Sequence, residues 1–513
     1  MNGLPRLRAL FRLRLGALIG LPLRSSLAAA LMCVAALAGI AGAPAHAQAG
    51  PPAGDETPQP VPMGAIHDPG EHQILVMMRL PAPHYRPDAS YGGRYIDDSG
   101  KGARRRRAEE LARQYGLAMV DDWPMPLLGL DCYVMRYKDT DNAERLVALL
   151  DKDPVVEWAQ PVARFDGMAQ QPARTAGTAS TAGITRITGM TGTAGGTAAS
   201  SAAAPASSPG DALYPVQPAA RYWHIGDLHR YTTGREVKVA VVDSGIDGSH
   251  PDLAGQLAVN ANFVDAAATP PENHGTAVAG IIAARAGNGG IVGVAPQARL
   301  MGLRACWQLP DQTTRCNSFT LGKAINYAIL NGAKVINLSL SGPQDKLLDR
   351  LLDVALARGI GVVGAIDAQA TGPVFPSSHR GVLAVASQPL VAAVSAPSPA
   401  TLKPVSASAA ANMAAMPEHP LFAPGNDIPT SAPGGHWSFV SGSSYAAAHV
   451  SGMLALLDEL EPGATPAQLR GMLQPGPMPN AGNIDACATI SRLLRNCGCT
   501  CTAKGLAQNA VSP

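Results

Sequence analysis

Between residues 237 and 387 the chain alternates short apolar runs with longer runs of helical periodicity. The short runs predict strands that are apolar on both faces, and the longer runs predict helices. Strands of this kind, separated by helices, are typical of a parallel sheet covered on both sides. The elements expected in this order are Val237–Val242, Thr276–Ala284, Leu321–Leu330, Lys334–Leu340, Lys346–Ala357, Ile360–Ile366 and Val382–Ser387. We therefore predict a doubly wound α/β domain over residues 213–475, with an inserted surface loop at 389–420.

The size and charge of the chain exclude several classes of protein. Its 513 residues leave room for about two to four domains, so this is not one small domain. Hydrophobic residues make up 46% and charged residues 15%, which excludes wholesale disorder. Lys and Arg total 40 against 38 Asp and Glu, a balance that gives little attraction for phosphate backbones. We expect no nucleic-acid partner.

The first 47 residues have the pattern of an export signal. Five arginines between Arg6 and Arg24 precede an apolar run, Leu27–Ile40, and small residues occupy the cleavage position Ala45-His-Ala47. The alternative is a membrane anchor, but the run falls short of the ~20 apolar residues that a membrane span needs. We expect a signal peptide over 1–47, no membrane span in the mature chain, and a periplasmic or extracellular protein.

A second, smaller domain is predicted ahead of the α/β domain. After a flexible lead-in at 48–72, the order of elements is β-α-β-β-α-β, the ferredoxin-like α+β arrangement. The six elements expected are Ile74–Leu80, Arg104–Tyr115, Leu117–Asp121, Leu130–Tyr137, Asn142–Leu150 and Val155–Arg164. The arginine run 104–107 begins the first helix and is interpreted as a solvated surface, with a processing site as the alternative. This domain covers 73–165, and a Thr/Ala/Gly/Ser-rich linker follows at 166–212.

The eight cysteines are interpreted through the expected export. An oxidising compartment favours disulfides, and Cys306 with Cys316 is the best pair because the two bracket a short polar loop. Closing a loop of that size stabilises a fold by roughly 2–3 kcal/mol. The tail at 476–513 contains Cys487 and Cys497, Cys499 and Cys501, which form either two more bridges or a metal site; bridges are favoured because no histidine is close in sequence.

Three residues could form a nucleophilic site. Asp243 ends a predicted strand, and His274 and Ser444 each open a predicted helix. The carboxyl ends of parallel strands and the amino ends of helices converge in open α/β sheets, so the three side chains could meet. Ser444 would then be the nucleophile, His274 the base and acid, and Asp243 the group that fixes the imidazole tautomer. Each residue taken alone is explained as well by a helix cap or a strand-end turn.

The segments around these residues resemble the signature motifs of subtilisin-like serine peptidases. They are Val242-Asp-Ser-Gly-Ile246 with His250-Pro-Asp-Leu253, Asn273-His-Gly-Thr276, and Gly442-Ser-Ser-Tyr-Ala446 with His449. The resemblance implies a seven-stranded parallel sheet and a substrate backbone added as a β-strand beside Ser339, Leu340 and Ser341. It also implies that residues 73–165 are a propeptide that helps folding and acts as an intramolecular inhibitor.

One family feature is missing from this sequence. The family completes its oxyanion hole with an asparagine, whereas the matching position here is Asp367 or Ala368, depending on the alignment. Asp367 in that position would have to be protonated to donate a hydrogen bond. Loss of one oxyanion donor costs roughly 10²–10³ in turnover, so we expect a slower or narrower enzyme.

The sequence therefore predicts an exported serine endopeptidase, made as a propeptide-bearing precursor, that acts on proteins or peptides through an acyl-enzyme. The alternative is a pseudopeptidase that binds or regulates after losing turnover. An esterase or lipase is disfavoured because Ser444 has no Gly-x-Ser-x-Gly surroundings. No cofactor is expected to be required, and structural calcium is possible by resemblance to the family.

Overall fold

The structure is a computed structural model that describes residues 71–80, 98–169, 210–387, 419–475 and 483–495. The predicted signal peptide, most of the lead-in, most of the 166–212 linker, most of the 389–420 loop and the last cysteines of the tail lie outside these residues. All described residues belong to one compact unit.

The N-terminal domain has the predicted β-α-β-β-α-β order. Its elements are β1 (Gln73–Arg79), α1 (Asp98–Gln114), β2 (Ala118–Met125), β3 (Leu130–Arg136), α2 (Ala143–Leu150) and β4 (Val156–Pro161). The four strands form an antiparallel sheet in the order β2-β3-β1-β4. Helix α2 begins where the Asn142 side chain accepts a hydrogen bond from the Arg145 N–H.

Both faces of this sheet are covered. Ile74 and Val76 of β1 pack with residues of α1 such as Ala108 and Leu111. The alternate residues Leu75 and Met77 belong to a second apolar cluster, shared with helices of the following domain. Since successive side chains of a strand point to opposite faces, β1 is buried on both of them.

The second domain contains the remaining strands and helices. Its strands, with the segment that leads into it, are β5 (Arg164–Gly167), β6 (Lys238–Asp243), β7 (Leu257–Asn262), β8 (Arg299–Arg304), β9 (Cys306–Gln308), β10 (Thr314–Asn317), β11 (Val335–Leu338), β12 (Leu340–Ser341), β13 (Gly361–Ala365), β14 (Leu383–Ser387), β15 (Leu421–Ala423), β16 (Ile428–Ala432), β17 (His436–Val440), β18 (Gln474–Pro475) and β19 (Ile484–Asp485). Its helices are α3 (Pro218–Tyr222), α4 (Ile225–Leu228), α5 (Asn273–Ala283), α6 (Ser318–Leu330), α7 (Lys346–Ala357), α8 (Ser443–Leu460), α9 (Pro466–Met472) and α10 (Ala486–Leu494), with a 3₁₀ turn at Tyr214–Val216.

A seven-stranded, wholly parallel sheet forms the centre of this domain, as the sequence predicted. Its order is β15-β14-β13-β11-β6-β8-β7. Helices α5 and α8 bury one face of it, and α6 and α7 bury the other. Helices α6 and α7 also contact the N-terminal sheet. There the side chain of Gln160 accepts a hydrogen bond from the Leu347 N–H at the start of α7.

One expected boundary differs. The sequence predicted a strand over Val155–Arg164, whereas β4 ends at Pro161 and a separate strand, β5, begins at Arg164. The chain leaves the N-terminal sheet after Val162, whose N–H still donates to the Gln73 carbonyl oxygen. It then enters a different four-stranded sheet of order β12-β5-β10-β9.

Helix α8 contains a fully buried histidine that should make stability depend on pH. The Nδ1 of His449 donates a hydrogen bond to the Tyr445 carbonyl oxygen, and its ring meets Trp223 edge-on. Burial lowers the pKa of His449 from 6.5 to about 4, although the bond to Tyr445 opposes the shift. The folded protein therefore keeps this imidazole neutral over a range in which the unfolded chain protonates it.

We expect the free energy of unfolding to fall as pH decreases from about 6.5 to about 4. The unfolded state binds one more proton than the folded state over this window, which contributes a slope of up to about 1.4 kcal/mol per pH unit. Urea unfolding of Ser444→Ala protein, in which the expected peptidase activity cannot degrade the sample, would measure it. Ser444→Ala/His449→Gln should show a shallower pH dependence, and equal slopes would contradict this account.

Candidate active site

Asp243 is the last residue of β6 and lies near the middle of the parallel sheet, between β11 and β8. Its Oδ1 accepts hydrogen bonds from the Ser244 N–H at 2.7 Å and from His274 Nδ1 at 2.7 Å. The side chain is only 2% exposed. A buried carboxylate with two donors on one oxygen is well placed to hold an imidazole in one orientation.

His274 is the second residue of α5, and the start of this helix lies against the turn that follows β6. A Cβ added to Gly275 would meet the Ser244 carbonyl oxygen at 2.2 Å, so only glycine permits this approach. The Ser244 hydroxyl accepts a hydrogen bond from the Gly275 N–H at 3.0 Å. The ring of Tyr445 packs tilted against the His274 ring, with centroids 5.8 Å apart. These contacts fix where the imidazole lies.

Ser444 is the second residue of α8 and is fully buried beneath the chain that crosses it. Gly442 precedes the helix with φ of 147°, a conformation that other residues rarely adopt. Below the serine, the Ser339 hydroxyl donates to the Ser444 carbonyl oxygen, and the Asn337 amide donates to the Ser339 hydroxyl. The start of α8 is therefore tied to the end of β11.

The three predicted side chains are brought together by the fold. The Oγ of Ser444 lies 3.0 Å from His274 Nε2, and the opposite ring nitrogen of His274 bonds Asp243. With its Nδ1 proton donated to the carboxylate, the neutral imidazole has a free lone pair on Nε2 that can take the serine proton. This geometry can generate a serine nucleophile.

A segment of the chain itself lies across these residues. Strand β5 pairs antiparallel with β12 on one side and with β10 on the other. Beyond it, the Met168 N–H donates to the Ser339 carbonyl oxygen at 3.3 Å, and the Met168 carbonyl oxygen accepts from the Ser444 N–H at 3.4 Å. The predicted substrate-binding residues Ser339, Leu340 and Ser341 thus line an occupied cleft.

Residues 166 and 167 belong to strand β5. The sequence assigned them to a linker because the following forty residues are low in complexity. Phe165 is fully buried and packs edge-on against Phe375, with ring centroids 5.6 Å apart. A four-residue strand with one aromatic side chain is too short for periodicity to predict it.

Asp367, the candidate oxyanion group, lies two residues beyond the end of β13 and is half-buried. Its Oδ1 accepts a hydrogen bond from the Gln369 N–H at 2.8 Å, and its carbonyl oxygen accepts from the Ala370 N–H. Among the described residues, the Met168 carbonyl oxygen accepts its hydrogen bond from the Ser444 N–H and not from the Asp367 side chain. A contribution from Asp367 stays a prediction.

Glu272 and Arg304 support the site and were missed by the sequence analysis. Arg304 donates to both oxygens of Glu272 at 3.1 Å, and both residues are nearly buried. The Glu272 carboxylate also accepts from the Gly245 N–H and from the Gln308 N–H. It thus joins the turn after β6, the start of α5 and strand β9. Nothing in a single sequence signals this pairing, because 32 residues separate the two charges.

The disulfide between Cys306 and Cys316 is present, as predicted. It joins β9 to β10, and the β9–β10 hairpin forms one wall of the cleft. Cys487 is also disulfide-bonded, with its partner outside the described residues. Cys132 is a free, buried thiol whose pKa is raised by burial. Within the described ranges there is no cluster of three or more His, Cys, Asp or Glu side chains that could hold a metal ion.

The chain matches known proteins over its second domain. The model of the "Subtilase family" matches residues 234–475. Subtilisin from Bacillus pumilus is 36% identical over 246 residues, which cover 47% of this chain and 84% of that protein. Subtilisin E from Bacillus subtilis is also 36% identical over 246 residues, but the match spans only 60% of its length.

The fold also matches a solved structure over a larger part of the chain. Fervidolysin from Fervidobacterium pennivorans, described as a keratinolytic enzyme related to subtilisin, has a TM-score of 0.55 and 19% identity, with 82% of this chain and 61% of that chain covered. At this identity the comparison supports the shared fold only.

We expect a fluorophosphonate probe to label Ser444 once the segment ending at Met168 has left the cleft. Asp243→Asn should slow labelling by up to about 10⁴-fold, because the wrong imidazole tautomer then faces the hydroxyl. Mass spectrometry of the labelled peptide identifies the serine. Ser443→Ala is the matched control and should label normally, whereas an unlabelled protein with a cleared cleft would mean that Ser444 is not activated.

Proposed function

Because this chain belongs to the subtilase family of serine peptidases, we propose that it is an exported endopeptidase made as a propeptide-bearing precursor. Asp243, His274 and Ser444 carry out the hydrolysis. The observation that carries the proposal is the path of residues 164–169, which cross the cleft as a paired strand and direct the Met168 carbonyl oxygen to the Ser444 N–H. This is the arrangement expected of a peptide about to be cut.

The chemistry follows from the hydrogen bonds of the three side chains. Ser444 Oγ attacks the carbonyl carbon of the bound peptide bond while His274 Nε2 accepts the hydroxyl proton. Asp243 stabilises the imidazolium that results, and the Ser444 N–H donates to the oxygen that becomes negatively charged. His274 then gives its proton to the departing amine, which leaves an acyl-enzyme. Water, deprotonated by His274, hydrolyses the ester and restores the serine.

Residues 73–165 act as the inhibitor in this proposal, and two contacts support the role. The N-terminal sheet packs on α6 and α7, which belong to the same domain as the three reacting side chains. Only Val162 and Ala163 separate β4 from β5, and the Ala163 N–H donates to the Ser318 hydroxyl at the start of α6. The short connection between β4 and β5 is therefore held at one end by the N-terminal sheet and at the other by the hydrogen bond to the start of α6.

Export is supported by the arginine-rich, apolar N-terminus and by the disulfides. Protein and peptide substrates follow from the way β10 and β12 pair with an extended segment, β5, in the cleft. Every helix in the described part of the chain falls short of the length and apolarity that a membrane crossing demands. The proposal requires no cofactor, since the described side chains supply each proton transfer.

The precursor should cut itself between Met168 and Ala169. We expect the purified wild-type protein to begin at Ala169 by N-terminal sequencing, and Ser444→Ala to accumulate as an uncut chain of correspondingly larger mass. The matched control Ser443→Ala should be processed like the wild type. A Ser444→Ala precursor that is still cut at Met168 would assign the processing to another protease.

Asp367 is proposed to lie at the oxyanion, where only the protonated form of its carboxyl group could donate a hydrogen bond. An ionised carboxylate there has no proton to donate, so Asp367→Asn should raise kcat at neutral pH by about tenfold or more with little change in KM. Asp367→Ala should not show this rise. Steady-state hydrolysis of one peptide by the three processed enzymes separates these cases. Equal kcat values for Asp367→Asn and the wild type would exclude Asp367 from the oxyanion site.

A further inference from the structure

The bound segment occupies the cleft in a fixed register. Phe165 anchors it, because this side chain is fully buried against Phe375 and above Gly342. A Cβ on Gly342 would come within 2.3 Å of the Phe165 ring, so the glycine leaves the space that the aromatic ring fills. With Phe165 anchored, Gly167 comes two residues later, immediately before Met168.

Gly167 lies between Thr314 and His274, which leave little room for a side chain. A Cβ added to it would lie 3.0 Å from the Thr314 Cβ and 3.4 Å from both Cε1 and Nε2 of His274. The first distance is well below ordinary van der Waals contact, and the second is at its lower limit. An alanine at this position would therefore press on Thr314, and a larger side chain would press on the imidazole as well.

Neither Thr314 nor His274 can move away easily to make room for a side chain at position 167. Thr314 is 5% exposed and lies in β10, whose Cys316 is joined to Cys306 of β9 by the disulfide. On the other side, His274 is held by its bond to Asp243 and by the Tyr445 ring. Displacing His274 would also lengthen its contact with Ser444. Crowding at this point therefore acts directly on the reacting geometry.

We propose that Thr314 makes the enzyme selective for glycine at the second residue before the cleaved bond. The substrate class is thus an extended segment with the sequence Gly-Xaa immediately before the cleaved bond. This inference rests on the proposed function, since it concerns the same cleft. The residue before the glycine is not selected strongly, because Asp166 meets Arg315 at 3.4 Å in an exposed pair.

The test uses processed enzyme and internally quenched peptides with the sequence of residues 163–170, Ala-Arg-Phe-Asp-Gly-Met-Ala-Gln. Alanine or valine replaces the glycine in two further peptides. For the wild type we expect kcat/KM to fall by about tenfold with alanine and by about 100-fold or more with valine, in line with the cost of overpacking a rigid site. Mass spectrometry checks that each peptide is cut after methionine.

Variants of the β9–β10 hairpin assign the selectivity to Thr314. In Thr314→Gly the glycine-to-alanine ratio of kcat/KM should fall to within about threefold of unity, because the crowding Cβ is gone. Thr313→Gly makes the same change one residue earlier, where the side chain bonds Asp311 instead of lining the cleft, and should keep the wild-type ratio.

The outcomes separate this inference from the proposed function. Equal cleavage of the three peptides by the wild type overturns the glycine selectivity but still supports the proposed peptidase activity. This result uses only the wild-type enzyme, so it does not require any variant to fold. A Thr314→Gly enzyme that keeps the full wild-type ratio overturns the role of Thr314. Failure to cut even the glycine peptide, with the cleft cleared, overturns both.

Discussion

The close approach of α5 to the turn after β6 is the constraint on which the site depends. Gly275 lets the helix begin against the Ser244 carbonyl oxygen, and this brings His274 to Asp243 at 2.7 Å. Helix α8, which packs on the same face of the sheet, brings Ser444 to the same imidazole. A parallel sheet is what allows this meeting, because it directs strand ends and helix starts to one edge.

The contacts around the three side chains tie together the elements that position them. The Asn337 and Ser339 side chains tie the start of α8 to β11. Glu272 and Arg304 tie the start of α5 to β8 and β9. Each of these buried polar groups has a partner, which is the condition for such a network to stabilise a site instead of weakening it.

How far the sequence could predict this structure depended on the length of each pattern. Runs such as 346–357 span several turns and predicted their helix correctly, and the motifs around Asp243, His274 and Ser444 pointed to one site. Phe165 and Gly167 could not be recognised, since a short strand next to a low-complexity stretch has no periodicity of its own. The pair Glu272 and Arg304 could not be recognised either, because distance along the chain hides its proximity.

The two residues between β4 and β5 have a consequence for how the enzyme would be released. In the proposed precursor, the segment before a cut at Met168 would still hold the enzyme through two surfaces, the N-terminal sheet on α6 and α7 and the β5 strand in the cleft. Because the connection is this short, each of the two contacts keeps the other at a high effective concentration. A strand that leaves the cleft therefore rebinds before the N-terminal domain dissociates. The rate of activation would then be set by how long residues 73–165 stay folded, and not by the rate of the first cut. A second cut within residues 73–165, made by an enzyme molecule already free, would end that lifetime and make activation accelerate as it proceeds.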